Sequence, residues 1–118
     1  MARSTKSSKR IVVRDVEYRW RATGNDGFIS VTIWPVNSIG PQIVCRFGYH
    51  ETWVPMDPNR FVSNGDQLTV TNRLVRRIIE YAIDQENYTP DQQRTQLTVH
   101  AIEDKIDWSD AVRASDVG

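Results

Sequence analysis

The sequence predicts an α+β fold in which one antiparallel sheet carries a single helix across one face. Three observations carry this. VEYRWR at 16–21 and FISVTIWP at 28–35 alternate apolar and polar residues around a Gly24-Asn25-Asp26-Gly27 turn. A third alternating run, QIVCRFGY at 42–49, follows a Gly-Pro loop, and one apolar stripe at three- and four-residue spacing stands downstream of residue 71. With 118 residues the chain has the size of one domain with one modest core.

Composition narrows the class. A hydrophobic fraction of 39% and a charged fraction of 25% are those of a globular protein. No apolar run approaches the ~20 residues that cross a bilayer. The start, MARSTKSSKR, has cations but no apolar stretch behind it, so it does not read as a secretory signal, and no membrane partner is expected. The single cysteine, Cys45, cannot form an internal disulfide, which makes packing the source of stability and a cytoplasmic location the expectation.

Net charge is zero but unevenly spread. Residues 1–77 hold 12 Lys and Arg against 6 Asp and Glu, whereas residues 78–118 hold 3 against 9. Much of the basic excess sits in the first ten residues, at Arg3, Lys6, Lys9 and Arg10, so the pattern reads as a solubilising basic tail balanced by an acidic end.

The elements follow in order. Residues 1–9 carry little that could offset the entropy of ordering and read as a flexible basic tail; residues 10–104 read as the single domain. Ile11 to Val13 form a short lead-in. In the first hairpin strand Val16, Tyr18, Trp20 and Ala22 share one face and Glu17, Arg19 and Arg21 the other. A two- or four-residue turn pairs even positions of this strand with odd positions of the next, so Tyr18, Trp20 and Ala22 join Ile29, Val31 and Ile33 on the core side.

The third strand sets Ile43, Cys45, Phe47 and Tyr49 on the same face, and a five-residue loop would pair Cys45 with Ile33 and Phe47 with Val31. The three strands form a meander. Two prolines and Asn64-Gly65 mark residues 55–67 as a long loop with a small hairpin. Thr71 then caps a helix from about Asn72 to Gln85, whose stripe is Leu74, Val75, Ile78, Ile79, Ala82 and Ile83, and Tyr88-Thr89-Pro90 ends it. A last strand is expected at 97–103, and the acidic segment 105–118 is expected to fray.

The pattern Tyr18 to Arg21, then Asp26-Gly27 before an Ile-containing strand, then Thr71 to Ile83 resembles a family of small uncharacterised bacterial α+β domains. The resemblance covers about residues 11–85. Its motifs are folding motifs, so it implies the fold and carries no function. Such domains end in a short Gly/Pro-rich stretch soon after the helix, whereas this chain adds the segment from 97 onward.

Chemical motifs are sparse. Cys45 is expected on the apolar face, where a thiol is inert, and His50-Glu51 lacks the second histidine of H-E-x-x-H. Residues 57–62 begin like a calcium loop and fail at Phe61 and Val62. There is no Walker A, G-x-G-x-x-G or G-x-S-x-G motif, and neither catalytic residue, metal nor cofactor is expected.

The outer sheet face remains. It would carry Arg19, Arg21, Trp34 and Arg46, with an arginine stacked on the indole. A second cationic group of candidate binding residues, Arg73, Arg76 and Arg77, occupies the first turns of the helix, where the macrodipole disfavours positive charge; either pairing with Glu80 together with contacts to the acidic C-terminal segment holds it there, or an acidic partner or anion docks on this face. The expectation is a non-enzymatic interaction module that binds a protein or itself through the outer face. The alternative is weak binding of single-stranded nucleic acid or another anion by the same face and the basic tail.

Overall fold

The computed structural model describes residues 8–25, 27–36, 40–49, 53–57, 60–63, 68–90 and 96–111. Strands β1 (Lys9–Val13), β2 (Val16–Asn25), β3 (Phe28–Pro35) and β4 (Gln42–Phe47) precede a separate two-stranded hairpin of β5 (Trp53–Asp57) and β6 (Arg60–Ser63). Helix α1 (Asn72–Gln85) and strand β7 (Gln96–Thr98) follow. The main sheet has five strands in the order β1-β2-β3-β4-β7; β7 runs parallel to β4 and all other neighbours are antiparallel.

The opening hairpin forms in the expected register. Trp20 pairs with Ile33 and Ala22 with Val31, around a two-residue connection in which Gly27 adopts φ +85°. The lead-in is a full strand. Val13 pairs with Val16 across a two-residue turn in which Arg14 and Asp15 both take positive φ, 51° and 66°, the primed geometry that follows strand twist. Neither residue is the glycine that such a turn favours, so the sequence gives little sign of it. Lys9, placed in the expected tail, instead begins β1, and residues 1–7 lie outside the described residues.

Between β3 and β4 the register is displaced by two residues from expectation. Val31 pairs with Cys45, Ile29 with Phe47 and Ile33 with Ile43. The end of β3 stays with β2 instead of turning early: Tyr18 pairs with Pro35, and the N–H of Val36 donates to Glu17 O at 3.0 Å. A shift of two keeps every inward residue inward, because side chains alternate with period two. The connection passes Gly40 against Pro90, where a Cβ would overlap the Pro90 carbonyl group.

Helix α1 spans the expected residues. Thr71 is its N-cap, its hydroxyl accepting from the Leu74 N–H at 3.3 Å. Asn87 ends it at φ 57°, one residue before the expected Tyr88-Thr89-Pro90, and the Tyr88 N–H returns to Ala82 O at 3.0 Å. Leu74, Val75, Ile78, Ile79 and Ala82 are buried against Ile11, Val13, Tyr18, Trp20, Val31, Ile33, Ile43 and Phe47. Each large aliphatic in this stripe contributes about 1.5–3 kcal/mol by leaving water. Ala22 alone of the expected inward set is exposed.

Two expectations fail after the helix. The last strand ends at Thr98, because Ala101 turns left-handed at φ 54° and residues 102–104 form a 3₁₀ turn that buries Ile102. The acidic segment does not fray where described. Ala111 is buried, its carbonyl accepts from the Thr69 N–H at 2.8 Å, and residues 109–111 form a second 3₁₀ turn, so the domain extends past 104 to at least 111. A small hairpin is present in this region, formed by β5 and β6, while residues 58–59 and Asn64-Gly65 lie outside the described residues.

Candidate functional site: the outer face of the sheet

Register fixes which side chains share the face opposite the helix. Arg10, Arg19 and Trp34 form one cross-strand row, Arg21, Thr32, Val44 and Thr98 the next, and Thr23, Ser30 and Arg46 a third. The hydroxyl-bearing and basic residues on this face are the alternates of the buried ones, as expected of a sheet covered on one side.

Trp34 does not form the expected open indole platform. It is 6% exposed, on the third strand of the five. Nor does an arginine stack on it as expected. Arg19, directly opposite, turns toward the sheet edge, its Nε donating to Ser8 Oγ at 2.7 Å and a terminal nitrogen to Ser8 O at 3.1 Å. The cation–ring contact on this face lies elsewhere: the Arg46 guanidinium sits 4.6 Å from the centroid of Phe28. Arg21 and Arg46 are exposed.

Charge on this face is one-sided. Its carboxylate among the described residues is Glu17, held by Arg10 Nε at 2.9 Å, so no described carboxylate partners the guanidinium groups of Arg19, Arg21 and Arg46. Val12 and Val36, 40% and 39% exposed, flank Glu17 and supply apolar surface beside the cations.

The helix arginines belong to the fold. Arg77 grips Asp110 with two nitrogens, at 2.6 and 2.9 Å, and donates to Asp107 O at 2.8 Å; Arg73 reaches Asp110 at 3.4 Å. Arg76 donates to Val12 O at 3.1 Å. The expected pairing along the helix with Glu80 is therefore replaced by contacts to other elements, because the acidic segment and the edge of β1 both lie within reach of this helix face. The guanidinium pair holds the Asp110 carboxyl down at about 2, hydrogen bonding to Arg77 being the larger cause.

The described nucleophile is silent. Cys45 is 1% exposed, and burial pushes its thiol up to about 12, so it stays protonated at neutral pH. His100 is exposed beside a cleft of about 370 Å³ shared with Arg46 and Thr98, while His50 lies outside the described residues. Among the described residues no three His, Cys, Asp or Glu side chains gather as metal ligands, and no helix is long and apolar enough to cross a membrane.

No family model, curated protein or solved structure matches the chain.

Sequence reasoning missed Arg10 and Phe28 as members of this face. Arg10 stood next to the tail and Phe28 next to the turn. Once β1 is counted as a strand, the alternation of KRIVV places Arg10 outward, and the period of FISVTIWP places Phe28 with Ser30 and Thr32.

Proposed function

We propose that this chain is a non-enzymatic interaction module whose outer sheet face binds a partner protein with an acidic surface. The observation that carries the reading is the separation of charge across the sheet: one face packs the helix, and the other presents Arg19, Arg21 and Arg46 with a single paired carboxylate, Glu17, among the described residues. Opposite charge favours and orients such an encounter. The threonine and serine rows between the arginines supply donors and acceptors, and Val12, Val36 and Val44 supply the apolar area that protein interfaces bury.

Nucleic acid is the less favoured occupant. Binding of single strands draws on aromatic rings that bases can stack upon; here the tryptophan is buried and the Phe28 ring is already covered by Arg46. The resemblance to small bacterial domains agrees with this reading and adds no partner, as does the cytoplasmic setting expected from the single cysteine.

Titration of the full chain into fluorescein-labelled polyglutamate, as a stand-in for an acidic protein surface, and into labelled oligo-dT tests the assignment. Polyglutamate anisotropy should rise, and the rise should weaken with salt. The double variant Arg46→Glu, Thr32→Glu should abolish it, while a charge reversal at Arg73 should leave it. Tighter binding of oligo-dT would move the assignment to nucleic acid; salt-insensitive or absent binding would remove the face as a site.

A further inference from the structure

The far end of β2 offers a second, unassigned surface. β1 begins at Lys9, in register with Trp20, so β2 runs on from Arg21 to Asn25 with β3 on one side and, among the described residues, no strand on the other. Asn25 and Phe28 flank a two-residue connection and exchange ladder bonds, as do Thr23 with Ser30 and Arg21 with Thr32. The N–H and C=O groups of Ala22 and Gly24 therefore point to the open edge, and no described residue takes them. The edge of β1 is treated differently: its outward carbonyls of Arg10 and Val12 accept from Asn72 and Arg76.

On the helix side of this open edge lies a recess of about 380 Å³, within the range of ligand pockets. Trp20 and Ile29 form its floor, and Tyr49 and Leu68 wall it. Room is left by the small residues of β2. At Gly24 a Cβ would come within 2.6 Å of the Tyr49 hydroxyl, which donates to Asn25 O at 2.9 Å. The rim is cationic among the described residues: the Lys9 ammonium stands 5.9 Å from the Trp20 ring centroid, Arg21 is exposed, and no described carboxylate lines the recess.

We propose that the β2 edge and this recess bind an extended peptide by strand addition, seating an apolar side chain against Trp20 with acidic side chains next to it facing Lys9 and Arg21. Unpaired backbone groups supply affinity and the alternating pockets supply selection, the mode by which sheet edges capture peptides. Charge names the occupant. The chain's own residues before Lys9 carry Arg3 and Lys6 and no acid, so they would set like charge against the rim.

The test is anisotropy of the full chain with a labelled, end-capped peptide of alternating valine and glutamate, compared with its valine–lysine counterpart. The glutamate peptide should bind and the lysine peptide should not. Ala22→Pro should weaken binding about tenfold or more while retaining the melting temperature, because proline is tolerated where the strand N–H has no ladder partner. Lys9→Glu should weaken it comparably, and Arg14→Gln, just beyond the opposite end of β1, should bind as the parent does. Should Ala22→Pro unfold the chain, a peptide methylated on alternate backbone nitrogens removes the same bonds from the ligand side and should bind about tenfold or more weakly. Equal affinity for the blocked edge or the methylated peptide, preference for the lysine peptide, a concentration-dependent dimer that Ala22→Pro abolishes, or no binding would each overturn the proposal.

Discussion

Arg76 donates from helix α1 to the carbonyl oxygen of Val12 at 3.1 Å, so a helix side chain closes part of the outer edge of β1. Asn72 reaches the neighbouring outward carbonyl, that of Arg10, at 3.5 Å. An uncovered edge is a template for pairing with another chain, which gives these residues a purpose within the fold. Arg76→Ala should lower stability by about 0.5–1.5 kcal/mol and promote self-association. Urea unfolding and sedimentation velocity measure the two effects; an unchanged midpoint together with a monomer at all concentrations would mean that the edge needs no cover.

The Arg14-Asp15 turn carries two non-glycine residues at positive φ, 51° and 66°. The bidentate contact of Arg14 with Asp84, at 2.9 and 3.0 Å, ties this turn to the helix but lies in solvent, where an ion pair contributes little. Replacing the pair by Arg14→Asn with Asp15→Gly supplies residues that favour this geometry. The melting temperature should rise by several degrees. A fall would show that the tie to Asp84 outweighs the backbone.

Tyr18 is fully buried, and its hydroxyl is the one buried side-chain polar atom among the described residues without a hydrogen-bond partner. Burial also pushes its ionisation up. Removing an unsatisfied group while keeping the ring should stabilise the fold, by about 0.5–1 kcal/mol for Tyr18→Phe. Chemical denaturation of the two proteins checks this; a destabilised variant would place a bound water at the hydroxyl.

These particulars show where legibility ends. The inward residues of β2 to β4 and the helix stripe follow from alternation and three- to four-residue spacing, and both periods survive in the structure because one face of each element is buried. The pairing of β3 with β4 was displaced by two residues, since alternation fixes the face but not the register. Ala101 and the Arg14-Asp15 turn take left-handed backbone without the glycine or asparagine that would announce it. The burial of Trp34 is illegible for a different reason: alternation places it on the outer face opposite Arg19 but carries no information on how exposed a residue of that face is.

Asp110 anchors the acidic segment through Arg77 and Arg73, and its carboxyl titrates at about 2 against an ordinary 3.8. A depressed folded-state value contributes stability that is present above the unfolded value and is lost as pH falls through the folded one. Stability should therefore decline from about pH 4 toward pH 2. Asp110→Asn should lower stability at neutral pH and flatten this acid limb, as seen in urea midpoints across pH. An unaltered acid limb would assign it to other carboxylates, such as Asp84 beside Arg14, which is also held low.

The central claim is that the outer sheet face is a binding surface for acidic protein, and amide chemical-shift mapping during a polyglutamate titration tests it most directly. The expected result is movement of the amides of Arg19, Arg21, Ser30, Thr32, Val44 and Arg46 that reverses with salt, with helix α1 unmoved. Movement confined to Arg73, Arg77 and the segment around Asp110, or no movement at any residue, would contradict it.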